Sequence, residues 1–230
     1  MKLPILLALT GALLVLAVPT LFADGDPPQG GGSAFDQPKE GEETPKEAEP
    51  TPKVFTFKDY RLEMETKDGR WWTVNDIPPE EVEKGLALSI TFKLPKSPDH
   101  FDVRMISQGW KVGGKLSFKD GTEIGIDNYK MLCEKFYEDD LKEWKELRDH
   151  EKPKKVKMAN AMKTAYRYSF TGLLQAAGNF PLHKQMYFFK FKDRTYWLQI
   201  LFTTTSIKNE RVTKEVDEML RSMREKPERR

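Results

Sequence analysis

The residues YFFKFKDRTYWLQILF, Tyr187 to Phe202, constrain the fold more than any other stretch of the chain. Seven of these sixteen residues are aromatic, and their placement is regular. Before the polar KDRT, Tyr187, Phe189 and Phe191 alternate with Phe188, Lys190 and Lys192. After it, Tyr196, Leu198, Ile200 and Phe202 alternate with Trp197, Gln199, Leu201 and Thr203. A period of two belongs to strands, whose side chains point to opposite faces in turn. With Asp193 and Arg194 as the connection, Phe191 stands opposite Tyr196, Phe189 opposite Leu198 and Tyr187 opposite Ile200. One face is then wholly apolar, and cross-strand aromatic and aliphatic pairs are the usual unit of sheet stabilisation. The rings are therefore predicted to be the inside of a hairpin and not an exposed stacking platform.

Other segments repeat the pattern. VFTFKDYRLEME reads as an opening strand with Tyr60, Leu62 and Met64 on one face. LALSITFKL places Leu86, Leu88, Ile90, Phe92 and Leu94 together, and FDVRMIS places Phe101, Val103 and Met105 together. AMKTAYRYSFTG puts Met162, Thr164, Tyr166, Tyr168 and Phe170 on one face. Two segments have helical spacing. From Asp127 to His150, Tyr129, Leu132, Cys133, Phe136, Trp144 and Leu147 align, with Asp127 or Asn128 as N-cap and Pro153 as the stop. Near the end, Val212, Val216, Met219, Leu220 and Met223 align, after which MREKPERR is expected to fray into solvent. Strands in hairpins with helices between and after them predict an α+β fold: a largely antiparallel sheet flanked by helices.

Three regions follow from composition. Residues 1–23 have Lys2 followed by a run of Leu, Ala and Val, the layout of a secretory signal peptide ending near Ala23. An uncleaved anchor is the rival, since Leu3 to Phe22 nearly suffices to cross a bilayer. Residues 24–52 hold Phe35 as their one large hydrophobe, with eight Asp or Glu against two Lys. Such a segment buries too little apolar surface to offset its ordering entropy and is expected to be a disordered linker. Its charge is −6; with the whole chain at +2 and Lys2 in the leader, residues 53–230 carry +7. Those residues suit one domain of ordinary size.

The order of strand, WW-containing turn, alternating strand, middle helix, YRYSFTG strand, aromatic hairpin and a closing helix ending in LRSM resembles the Mog1/PsbP-like α/β/α sandwich, in the broad group of exported bacterial PsbP-related proteins. The likeness spans most of residues 53–230 and is densest from Tyr166 to Met223. The family's branches support the oxygen-evolving centre of photosystem II, bind a small GTPase or serve the cell envelope. No residue motif of those branches can be matched here, so the resemblance implies the fold and a non-catalytic character only.

Motifs for chemistry are scarce. GWKVGGKL, Gly109 to Leu116, approaches a phosphate-binding loop, but Leu116 stands where Ser or Thr would hold magnesium, and a Gly-rich hairpin is the reading adopted. Asp120, Glu123 and Asp127 lack the ligand spacing of a calcium loop. His100, His150 and His183 have no second His or Cys at zinc-ligand spacing, and each is expected to be exposed. Cys133 falls on the apolar side of the middle helix and reads as a buried thiol, and no GxSxG elbow occurs. Of Trp71 and Trp72, one is expected in the core and the other partly exposed, with a ligand groove as the alternative. EKPKKVK, Glu151 to Lys157, reads as a solvated connection that would make an anion-binding patch with Lys190, Lys192 and Arg194.

No catalytic, cofactor-binding or metal-ligating residue is therefore assigned, and no cofactor. Export argues against nucleic acid as a partner, as does the core placement of the rings. The expected protein is a periplasmic or extracellular module that binds another envelope protein or a small ligand, touching the membrane only through residues 1–23 if these are retained. A carrier of a small apolar ligand, with Trp71, Trp72 or the Leu173–Phe180 loop at its mouth, is the alternative. An enzyme with a site assembled from scattered carboxylates and histidines is the third class.

Overall fold

The computed structural model describes residues 49–58, 62–158, 164–174 and 179–226. The leader, all but the last four linker residues, Tyr60 and Met162 lie outside them. In chain order the first elements are β1 (Lys53–Thr56), β2 (Leu62–Thr66), β3 (Trp72–Val74), α1 (Pro79–Glu83), β4 (Leu86–Phe92) and β5 (Val103–Lys111). Then come β6 (Lys115–Ser117), β7 (Glu123–Gly125), α2 (Tyr129–Glu143), β8 (Trp144–Val156) and β9 (Ala165–Leu174). The last are β10 (Phe180–Phe191), β11 (Arg194–Thr203), α3 (Glu210–Ser222) and β12 (Arg224–Glu225). Among the described residues the main sheet has seven antiparallel strands in the order β3-β4-β5-β11-β10-β9-β8. Small sheets β1-β2-β12 and β6-β7 accompany it. This is the α+β architecture with helices on both faces that the periodicities predict.

The hairpin forms, but two residues out of the predicted register. Phe189 pairs with Tyr196 and Tyr187 with Leu198, because Lys192 and Asp193 make the turn, not Asp193 and Arg194. Lys192 takes a positive φ of 53°, and a tight turn of this hand suits the twist of the flanking strands. A shift of two preserves the faces. Tyr187, Phe189, Tyr196, Leu198, Ile200 and Phe202 all enter one core with Leu88, Ile90, Phe92, Val103 and Met105 of the neighbouring strands. That face is closed by α3, through Val212, Val216, Met219 and Leu220, and by Phe55, Leu62 and Met64 of the β1–β2 hairpin. Burying a side chain such as Phe189 contributes about 2–3 kcal/mol. On the opposite face Phe170, Tyr168, Met186, Phe188 and Leu201 pack with Leu132 and Cys133 of α2 and with Leu116 and Ile124 of β6–β7. Asn caps start both longer helices: Asn128 Oδ1 accepts from Met131 N at 3.2 Å, and Asn209 Oδ1 from Arg211 N at 3.1 Å.

Several expectations are corrected. The opening segment is a hairpin of β1 and β2, with Phe55 opposite Met64, and not one strand. Leu86 leaves the face of Leu88 because a bulge between them shifts the register, and it joins Ile77 and Ile106 under α1. Phe101 precedes β5 and packs into the α2-side core, apart from Val103 and Met105. The middle helix stops at Glu143; Trp144 and Leu147 belong to β8, as do Glu151 to Val156, so EKPKKVK is an edge strand and not a connection. The tail turns back as β12 to pair with β2.

Candidate functional site

Strands β8, β9 and β10 send one row of polar side chains to the same face as α3. Tyr187 stands across from Arg167, Gln185 from Ser169 and His183 from Thr171, while Glu151 and Lys154 of β8 register with Ser169 and Arg167. One hydrogen-bonded chain links the β9 and β10 members. The Tyr187 hydroxyl donates to Gln185 Oε1 at 3.1 Å, and Gln185 Nε2 lies 3.4 Å from His183 Nε2. His183 Nδ1 lies 3.0 Å from Thr171 Oγ1. With the Gln185 amide donating to Nε2, the Nδ1–H is the ring's donor to Thr171, which describes a neutral imidazole. Burial, then the nearby Arg167 charge, pushes the His183 pKa below its ordinary value and favours that neutral form.

The second half of the network is charged. Arg167 Nη2 donates to Glu151 Oε2 and lies 3.4 Å from Ser169 Oγ, and its guanidinium sits 5.9 Å from the Tyr187 ring centroid. Lys154 Nζ donates to Glu151 Oε1 at 2.9 Å and Ser169 Oγ to Oε2 at 3.2 Å. Lys154's hydrogen bond lowers the Glu151 pKa against the opposing effect of burial. Burial raises that of Tyr187. Arg167 Nε is buried and has no acceptor among the described residues. The arrangement holds one imidazole, and the Glu151 carboxylate is locked between two cations. It lacks a free base beside a free nucleophile.

Sequence reasoning singled out His183 and the EKPKKVK run that holds Glu151 and Lys154, and it placed Tyr187 on the apolar face of the hairpin. The missed residues Arg167, Ser169 and Thr171 are the off-face partners of Tyr166, Tyr168 and Phe170, so the alternation of YRYSFTG already set them on one face. The other highlighted residues do not converge. Trp72 is buried and donates through Nε1 to Glu215 of α3 at 2.9 Å; Trp71 is half-buried with the Arg70 guanidinium 5.5 Å from its ring. His100 and His150 are exposed as expected, whereas His183 is half-buried, because β10 runs inside the sheet between β9 and β11. Cys133 is buried, and burial pushes its thiol far above the ordinary range. Asp120 bonds Lys135, which holds its carboxyl well below the usual range, while Glu123 pairs with Lys115 and Asp127 with Lys190. Lys190 pairs with Asp127, whereas Lys192, in the turn with positive φ, pairs with Glu225 of β12, so the two do not join one anion patch with EKPKKVK. Gly109 lies inside β5, where a Cβ would come within 2.7 Å of the Tyr196 ring; this glycine makes room for a ring and not for a phosphate. Leu173 and Phe180 border a loop whose residues 175–178 lie outside the described residues.

A cavity of about 270 Å³ opens beside α2, lined by Phe118, Phe136, Asp120, Asp139, Asp140 and Glu143 among others. Its carboxylates are matched by Lys135, Lys142, Lys184 and Lys119. Beneath it lies a buried trio that no sequence pattern announced: Asp140 accepts from Lys184 Nζ at 2.7 Å and from the Tyr168 hydroxyl. Among the described residues no group of three or more His, Cys, Asp or Glu is placed to hold a metal ion. None of their helices is long and apolar enough to cross a membrane.

No known protein-family profile matches the chain, and no curated protein does. Among solved structures the chain is similar to PsbP (CyanoP) of Synechocystis sp. PCC 6803, with a TM-score of 0.48 and 8% identity over 81% of this chain and 98% of that one. It is similar to LpqN of Mycobacterium tuberculosis, a protein involved in cell envelope biogenesis, with a TM-score of 0.46 and 8% identity over 76% and 92% of the two chains. A protein of Bacteroides thetaiotaomicron VPI-5482 follows at 0.41 and 8%, over 73% of this chain and 46% of that one. These likenesses concern the path of the chain, not its activity.

Proposed function

We propose that this protein is an exported, non-catalytic binding module of the cell envelope, and that the β8–β10 face is its recognition surface. The observation that carries the reading is the interlocking of Thr171, His183, Gln185, Tyr187, Arg167 and Glu151. Each titratable group there is fixed by a neighbour, which suits presenting a rigid set of donors and acceptors and leaves none free to move a proton. Such fixed polar side chains lose little entropy on docking and confer specificity. The apolar leader 1–23 and acidic segment 24–52 support export and tethering.

The test is affinity capture from the envelope fraction of the source organism, with the wild-type protein and an Arg167→Glu, His183→Ala double variant. One protein is expected to be enriched by the wild type and at least ~10-fold less by the variant, a loss of about 1.4 kcal/mol. Both proteins should show the same circular dichroism. An identical captured set from the two would refute the surface. N-terminal sequencing of the captured bait should read from Asp24; an intact Met1 refutes cleavage.

A further inference from the structure

The opposite face of the main sheet carries polar side chains without a protein partner among the described residues. Gln199 is only 7% exposed and its amide makes no hydrogen bond among them; Arg104 is half-buried, with Nε fully enclosed and without hydrogen bond or ion pair there. Arg104 stands across from Leu201 and Gln199 across from Ile106, so the two are diagonal neighbours on β5 and β11. Two residues before Gln199 on the same face is Trp197, whose indole N–H is buried without an acceptor among the described residues. The strip from Trp197 to Leu201 is about 13 Å long. Ile106 and Leu201 are its apolar floor, and Trp197 packs against both the α2-side core and the cluster under α1.

The surrounding polar groups are already engaged. Ser89 and Thr91 bond Asn75, Gln108 donates to the Lys84 carbonyl, and Lys184, across Leu201 from Arg104, is neutralised by Asp140. The half-buried Arg70 and Arg167 each face a carboxylate. Arg104 does not: burial lowers its pKa and no anion offsets this. A guanidinium, an amide and an indole N–H spread along this one strip supply at least one positive charge and a surplus of donors, against an apolar floor.

We propose that Arg104, Gln199 and Trp197 form a site for a small carboxylate with an apolar body. The carboxylate takes the planar guanidinium fork and the Gln199 amide, and the body lies along Ile106, Leu201 and the Trp197 ring. One guanidinium matches one negative charge, which selects a monocarboxylate over a phosphate. This site lies on the other face of the sheet from the proposed recognition surface and stands independently of it.

The test is calorimetric titration of the protein with octanoate, with inorganic phosphate and with octan-1-ol. Octanoate is expected to saturate one site, with the other two at least ~10-fold weaker. Octanoate should also shift the Trp197 indole N–H resonance, assigned with Trp197→Phe. Arg104→Met should lose at least ~10-fold in octanoate affinity, and its ligand-free melting temperature should rise by ~2–4 °C as an uncompensated charge is removed. An arginine serving only the fold would lower it. Gln199→Leu should also weaken octanoate. The proposal is overturned if octanoate fails to saturate, if phosphate or octanol binds as tightly, or if either variant binds like the wild type.

Discussion

At the scale of single residues, the buried trio of Lys184, Asp140 and Tyr168 has the largest energetic asymmetry. The two charges are nearly sealed, with side chains 4% and 9% exposed, and each is the other's compensation. Lys184→Met or Asp140→Leu alone should destabilise by about 3–5 kcal/mol in urea unfolding, because each leaves a lone buried charge. The double variant should recover most of that loss. His183 offers a pH signature. Its folded pKa lies below the ordinary 6.5, so as pH falls past 6.5 the unfolded chain gains a proton before the folded one. Stability should therefore decline between pH 7 and 5.5, and His183→Gln should flatten the decline; parallel profiles for the two proteins would refute the neutral buried imidazole. Little of this was legible beforehand. Lys184 occupies an ordinary alternating position, and the residue that neutralises it lies 44 positions away, on a helix. A pattern of period two states which face a side chain takes but not which charge awaits it there.

At the scale of elements, the junction of α2 and β8 explains the main misreading. Lys145, Arg148, Glu151 and Lys154 pair with Leu173, Thr171, Ser169 and Arg167, so β8 spends three residues for every two of β9. Repeated bulges give a strand a period of three, and Trp144, Leu147 and His150 then fall at a spacing that mimics a helix. The bulges need unusual backbone: Glu146 and Asp149 have φ of 50° and 52°. Glu146→Gly should stabilise the protein by about 1 kcal/mol by relieving the left-handed conformation, measurable as a higher urea midpoint. A loss would show that the Glu146 side chain matters more than its backbone. The bulges, Pro153 and the many lysines also blunt β8 as a free sheet edge, which accounts for a charge run that read as a loop. By contrast α3 was legible outright, since one face is apolar at helical spacing and an Asn precedes it.

At the scale of the whole molecule, local alternation predicted two-faced strands and covering helices, but not the pairing of β5 with β11, across about ninety residues of chain, or the return of the tail to β2. Such long-range adjacency depends on which surfaces fit together, and no window of sequence contains both partners. The returning tail is more than an ornament. Met223 is 2% exposed, and Arg224 Nε and Nη1 reach Glu63 and Glu65 at 2.8 and 2.9 Å. Ending the chain at Ser222 should lower the unfolding free energy by about 2–5 kcal/mol, nearly all from the lost Met223, since the half-exposed Arg224 bridges contribute little. An unchanged urea midpoint would show that the tail merely rests on the surface. Because β1 and β12 flank β2 in one small patch on the α3 side, the polypeptide enters and leaves this body at a single corner. Anything that moors it by its leading segment holds it there like a dish on a stalk, with the α2 side of the sheet turned away from the mooring.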